Sequence, residues 1–511
     1  MTAVRYRLRG ELRRSIGFLV VGGILAGLIS GVVVAAAIGA RRNATAFSRL
    51  VESTDAATVL INPDQGAQSH LTTAAVSRLP MVVDAGRLDG LLVVLDGPDG
   101  RPDLSSNGEV LGLHDEHALR TVERPKIEAG NLPAADDRVG VFVNRTLADR
   151  RHLRVGSVLR LHPAVIGPKG PRFTAAVRAR VRGIGRFPSD IVAANGQDPT
   201  RVLPSQAFDR AHRNSTIYLG YYVRLRHGTD DVAALRIPID KKFPSEGFEY
   251  QTIGQIRSTV QRASSPSTVS LALFAAVLGA TALVGASQAA VRHVRAGARE
   301  LPALRAMGMD RNQLTAGALA VVATFATVAG LVAIPVAVLL SGRFPIGPGR
   351  FAEPHPGLAV HVLGLLAGTV AVTVGIVAAS APGVVRVVRR ALDPQPVARG
   401  GSRIADLLSA GGLGPAPGLG VRAALDPGSP TAPVPTRSML AGATLGLTVL
   451  VGALVFGANL QRLLDSPAGY GWAWNATVTI SLDPTDATTG LAARTLEQGL
   501  RDAPWVRRAT R

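Results

Sequence analysis

The chain has 511 residues, 47% of them hydrophobic, no cysteine and a formal net charge of +20. The missing cysteine excludes disulfides, thiolate metal sites and thiol nucleophiles. Nearly all the positive charge is arginine, much of it flanking apolar blocks, and no basic run is interleaved with aromatics, so anionic lipid headgroups suit it better as a partner than nucleic acid.

Residues 1–14 form a basic N-terminus (Arg5, Arg7, Arg9, Arg13, Arg14), and residues 15–40 carry no charge. That run is too long for the ~7–15-residue apolar core of a signal peptide. It reads as an uncleaved first span entering from the cytoplasm, which places the N-terminus inside. Gly23, Gly27 and Gly31 recur every fourth residue, with Ala35 and Gly39 extending the row. Small residues at this spacing let helix backbones approach closely in lipid.

Residues 41–267 contain no membrane-length apolar run and read as an extracytoplasmic α+β domain, long enough for two subdomains. Thr58–Asn62, Val139–Val143 and Val158–His162 read as strands, Ser69–Leu79 as a helix, and Asn144 as the cap of a short helix through Arg151. Val177–Arg182 alternates apolar residues with arginine, the period of a half-buried strand. Its outward arginines would discourage edge pairing. The neighbouring carboxylates Asp136 and Asp137 read as a solvated turn more readily than as an acid–base pair.

Residues 268–291 and 314–340 are each long enough to cross a bilayer, which takes roughly 20 apolar residues. Pro335 is expected to kink the second. Between them, residues 292–313 are short, basic and amphipathic, with Arg292, Arg295, Arg299, Arg305 and Arg311 placing this turn in the cytoplasm. Pro302 suits the first turn of a short helix and Gly308 its end, while Asp310 with Gln313 forms a capping-box-like start for the next span. Leu301, Leu304 and Met307 share roughly one face. Either this is an ordinary arginine-rich connector or it is a rigid knob built for docking. Residues 341–357 read as an outer loop, 358–385 as a fourth span with the small pair Gly364 and Gly368, 386–438 as a Pro/Gly-rich cytoplasmic linker and 439–460 as a fifth span. In the tail, 461–511, a strand-like run (Thr477–Leu482) and a helix-like run (Gly490–Ala503) echo the order after the first span. This reads as the start of a second extracytoplasmic domain in a truncated chain.

The chain has no GxxxxGK[ST] phosphate loop, HExxH or Gly-x-Ser-x-Gly, and its histidines show no close metal-ligand spacing. No catalytic residue, metal or cofactor is therefore expected. Charged residues avoid the spans, which argues against a proton- or ion-coupled carrier.

This order of elements resembles the FtsX-like permease subunits of MacB-class ABC transporters, in the long, duplicated actinobacterial form. The resemblance is carried by GARRNATAFSRLV (Gly39–Val51), by the Arg124–His162 stretch beginning RPKIEAGNLP, and by RELPALRAMGMDRNQL (Arg299–Leu314). GLGVRAALDPG (Gly418–Gly428) and GYGWAWNA (Gly469–Ala476) resemble the second half of that form. The resemblance implies an α-helical bundle of about five spans with a MacB-type outer α+β domain, and a coupling helix that docks on a separate ATPase subunit. It assigns the contact to Arg299, Glu300, Leu301, Leu304, Arg305, Met307 and Gly308. Two functions follow from it. One is ATP-driven export of a lipophilic substrate or release of a lipoprotein. The other is mechanotransmission to an extracytoplasmic protein, such as a cell-wall enzyme, without transport.

Overall fold

In the computed structural model the long apolar runs become helices that continue past the runs themselves. The structure describes residues 10–11, 13–97, 100–103, 108–167, 170–192, 200–392, 428–429, 432–433 and 436–466. It divides into two units, Met1–Gly401 and Ser402–Arg511.

In the first unit, α1 (Gly23–Ser53) follows a π-helical turn, Phe18–Gly22, and extends thirteen residues beyond Ala40. The chain then builds a twelve-stranded sheet: β1 (Val59–Pro63), β2 (Val82–Leu91), β3 (Val93–Leu95), β4 (Gly108–Leu113), β5 (Lys126–Gly130), β6 (Gly140–Asn144), β7 (Val158–Gly167), β8 (Gly170–Phe173), β9 (Val177–Arg186), β10 (Thr200–Pro204), β11 (Thr216–Leu225) and β12 (Phe248–Thr252). The strand order is β12-β1-β11-β2-β4-β10-β6-β9-β7-β3, with β5 pairing to β9 and β8 to β7. Short helices α2 (Thr73–Ser77), α3 (Arg145–Arg150), α4 (Gln206–Ala211) and α5 (Val232–Lys242) accompany it. One end of the sheet buries Val59, Ile61, Tyr221, Leu235 and Ile239; the other buries Val141, Val143, Leu161, Val181 and Phe208. Leu88, Leu111, Leu113, Phe142 and Leu203 form a third buried cluster between these two, so one continuous sheet carries several cores.

Two local expectations change. The Ser69–Leu79 helix shrinks to α2, which starts where the Thr72 side chain accepts from the Ala75 N–H. The arginines of β9 do face outward, since Arg178, Arg180 and Arg182 are exposed between buried Ala179 and Val181. They guard no edge, because β9 is flanked by β6 on one side and β7 on the other.

From β12 the chain enters α6 (Ile253–Gly297), a single 45-residue helix. The turn follows as a 3₁₀ segment, Ala298–Glu300, and α7 (Leu301–Ala306). Then come α8 (Arg311–Ser341), unbroken through Pro335, then α9 (Pro348–Ala352) and α10 (Val362–Leu392). Among the described residues, four helical stretches are long and apolar enough to cross a membrane: Phe18–Ser53, Ile253–Ala306, Arg311–Ser341 and Val362–Leu392. The second unit contains α11 (Thr436–Asp465), 30 residues that include the apolar run 439–460. The readings at 418–427, 469–476, 477–482 and 490–503, with most of the 386–438 linker, lie outside the described residues.

Candidate functional site

The turn between α6 and α8 is built by local chemistry. Gly308 takes φ +92°, a conformation that favours glycine, and reverses the chain after α7. Asp310 then caps α8: its carboxylate accepts from the Arg311 N–H at 2.7 Å, and the Gln313 side chain accepts from the Asp310 N–H at 3.2 Å. These two ends hold α7 as one short piece between two long helices.

The side chains of α7 divide into two sets. Leu301 is only 4% exposed and Leu304 is half-buried; both pack into the cluster of Leu314, Val321, Val384 and Val388 at this end of the bundle. They seat the elbow on α8 and α10. Arg299, Glu300, Pro302, Ala303, Arg305, Ala306, Met307 and Gly308 are exposed, Met307 to 72%. The expectation that Leu301, Leu304 and Met307 form one apolar docking face therefore changes. Two of them point into the bundle, while Met307 lies with Pro302, Ala303 and Ala306 on the open side. Leu301, as buried as it is, holds the elbow in place and offers no surface to a partner.

Charge gathers at this end. Arg13, Arg14, Arg292, Arg299, Arg305, Arg311, Arg386, Arg389 and Arg390 are all exposed here. Arg14 Nη1 lies 3.0 Å from Glu300 Oε1. Both groups are largely in solvent, so the pair contributes little to stability.

The opposite end of the bundle carries a collar. The residues 341–357, read from sequence as a plain outer loop, fold inward with α9 and set Glu353 between two arginines of α1. Its Oε2 lies 3.5 Å from Arg42 Nη2 and 2.6 Å from Arg49 Nη2, and the Glu353 and Arg42 side chains are nearly buried. Asn43 reaches α6, donating to Ser267 Oγ at 3.0 Å and Thr268 Oγ1 at 2.8 Å. Lys126 Nζ of β5 donates to the Phe351 carbonyl at 3.2 Å, and the Arg186 guanidinium of β9 lies 4.6 Å from the Phe351 ring centre. The collar thereby joins the sheet, α1, α6 and the loop 341–357. Phe47, Leu50, Ile253, Val260 and Ala352 fill the space inside it.

The glycine rows lie at helix contacts. A Cβ on Gly23, Gly27 or Gly31 would come within 2.7, 2.6 and 2.5 Å of Val328, Val332 and Val336 respectively, so α1 and α8 match residue for residue every fourth position. On α10, a Cβ on Gly364 would meet Ile38 at 3.2 Å and one on Gly368 would meet Val34 at 2.8 Å. Between α1, α6 and α10 lies an apolar groove of about 490 Å³, lined by Val33, Ala37, Leu283 and Val372, with Arg41 among its lining residues.

Sequence spacing misses one constellation on the sheet. Asp89 of β2, His114 just after β4 and Asp209 of α4 bring their ligand atoms within 4.8 Å of one another. They are 25 and 95 residues apart, so no local motif exposes them; the β2–β4 register and α4 make the cluster. Beside the carboxylates of Asp209 and Asp89, the His114 imidazole is pushed up to about 9.

No family model matches the chain, and no curated protein matches it. Among solved structures, it is similar to the periplasmic region of MacB from Actinobacillus actinomycetemcomitans, at TM-score 0.27 and 13% identity, covering 41% of this chain and 95% of that one. It is also similar to the extracellular domain of the noncanonic ABC-type transporter YknZ from Gram-positive bacteria, at TM-score 0.24 and 10% identity, covering 38% of this chain and 98% of that one.

Proposed function

We propose that this chain is the membrane permease subunit of an ATP-driven transporter of the MacB class, with α7 docking a separate ATPase subunit. One observation carries the reading. The elbow is seated in the bundle through Leu301 and Leu304 while Pro302, Ala303, Ala306 and Met307 stand exposed among arginines. An apolar patch rimmed by charge, on a rigid support, suits a protein partner. The arginine density at this end supports a reading with this end and the N-terminus in the cytoplasm and the sheet outside.

In this reading the ATPase pushes on α7, and the push travels along α6 to the sheet. No charged residue needs to line a path through the bilayer. Work is done on the outer face, on a lipophilic substrate or an extracytoplasmic protein. The groove beside Arg41 is apolar enough for an acyl chain and has a cation for an anionic head.

The test is capture of a co-expressed candidate ATPase subunit by the full chain. An Ala303→Asp/Met307→Asp double variant should lose at least tenfold in capture at an unchanged thermal midpoint, since both side chains are exposed. Leu304→Asp is the poorer probe because it places a carboxylate in the bundle core. Capture of the double variant equal to that of the wild type would remove the docking assignment.

A further inference from the structure

The β2–β4 pairing sets Asp89 opposite Gly112. Two residues along each strand, the His114 N–H donates to the Arg87 carbonyl at 3.3 Å, so Arg87, Asp89, Gly112 and His114 belong to one face of the sheet. Gly112 has no side chain, and the Asp209 carboxylate occupies the space it leaves. A Cβ there would lie 2.2 Å from Asp209 Oδ1. The Asp209 side chain is 1% exposed, and neither of its oxygens has a hydrogen-bond partner. His114 Nδ1 stands 3.6 Å from Asp209 Oδ2, an ion-pair distance too long for a hydrogen bond, and 3.1 Å from Asp89 Oδ2.

A buried carboxylate with no hydrogen bond is costly, and a bound cation is one of the ways proteins satisfy it. Asp89 is differently placed, since Arg87 Nε and Nη2 hold its two oxygens at 2.6 and 3.0 Å. Once the guanidinium has balanced Asp89, Asp209 is left with the His114 imidazole at 3.6 Å and no hydrogen bond to either oxygen. The separations of 3.1 and 3.6 Å from Nδ1 to the two carboxylates match those between donors that share an ion at ~2.0–2.2 Å.

We propose that Asp89, His114 and Asp209 form a binding site for a divalent transition-metal ion, of the zinc, cobalt or manganese class, in the outer domain. One imidazole nitrogen and two carboxylate oxygens supply three positions, a donor set suited to this class. The His114 side chain is 27% exposed, so solvent reaches the cluster from its side. Arg87 orients Asp89 as the hydrogen-bonding partners of metal-bound carboxylates do. The ion would pin α4 to β2 and β4.

The experiment uses the full, untagged chain in detergent at pH 8, where an incoming metal must displace the imidazole proton that the two carboxylates favour. The chain is stripped with chelator, reloaded with Zn²⁺ or Co²⁺ and dialysed; bound metal is counted and the visible absorption of Co²⁺ recorded. One tightly held ion per chain is expected. Asp209→Asn and His114→Gln should each weaken it at least tenfold and remove the Co²⁺ band. His117→Ala, which changes the neighbouring exposed pair of His117 with Asp84, should retain both. Circular dichroism of each variant without metal keeps loss of fold apart from loss of the site. No stoichiometric ion on the wild type, or equal loading of wild type and a folded Asp209→Asn, would overturn the proposal and leave the cluster a plain buried ion pair.

Discussion

Glu123 shows how one residue can load the joint between the sheet and α1. Its φ of +55° turns the chain so that its own N–H and that of Arg124 donate to the Asp55 and Thr54 carbonyls, just past the end of α1. The carboxylate is buried and accepts from the Ala57 N–H at 2.7 Å. Burial disfavours its charged form and pushes it up from 4.5 to about 7. Between those values the folded chain holds more protons than the unfolded one. The contribution to stability is therefore fully present below about 4.5 and is lost as pH rises through 7. We expect Glu123→Gln, which keeps an acceptor for Ala57, to raise the thermal midpoint at pH 8 and to flatten its fall between pH 5 and 8. The gain is at most ~3 kcal/mol. A fall just as steep in the variant would clear Glu123 of the effect. Asp209 teaches the complementary lesson about reading sequence. Nothing near it in the chain marks it out, because the hole it fills belongs to Gly112, and only pairing of the strands reveals that space.

At the scale of elements, what the sequence made legible is what short-range periodicity and capping encode. The Asp310–Gln313 start of α8 can be read from four residues, because the cap is local. The ends of α1 and α6 could not be read in this way. Hydropathy stops near Ala40 and begins near Thr268, yet α1 runs on to Ser53 and α6 starts at Ile253. The start of α6 is set by a capping box of Thr252 with Gln255, and its polar first turns are supported by Val260 and Ile253 packing on Phe47 and Leu50. The collar was hidden for a similar reason. Glu353 looks like a lone surface charge until Arg42 and Arg49, some 300 residues earlier, are folded against it. Contacts between helices can be tested directly. In Gly27→Leu the new Cβ would lie 2.8 Å from the Ala329 carbonyl, a backbone atom that cannot swing aside. We expect a loss of about 1–3 kcal/mol or more in thermal unfolding. Gly285→Leu on α6, whose Cβ meets nothing within 4 Å, should be nearly neutral. Equal losses in the two variants would contradict the close approach of α1 to α8.

At the scale of the whole molecule, the proposed topology makes a sharp demand, and a chain without cysteine is convenient for testing it. A single cysteine at exposed Ile166 of β7 should react with a membrane-impermeant maleimide on intact cells, and one at exposed Met307 only after lysis. The reverse pattern would invert the molecule and remove the elbow from any cytoplasmic ATPase. The unbroken course of α6 has a further consequence. Each residue of an α-helix adds ~1.5 Å and turns ~100°. The compass bearing of the elbow relative to the sheet is thus fixed by arithmetic: one inserted residue between Thr252 and Gly297 would swing α7 a quarter-turn or more around the axis, while seven, close to two full revolutions, would nearly restore its heading. In this stretch the number of residues matters more than their identity.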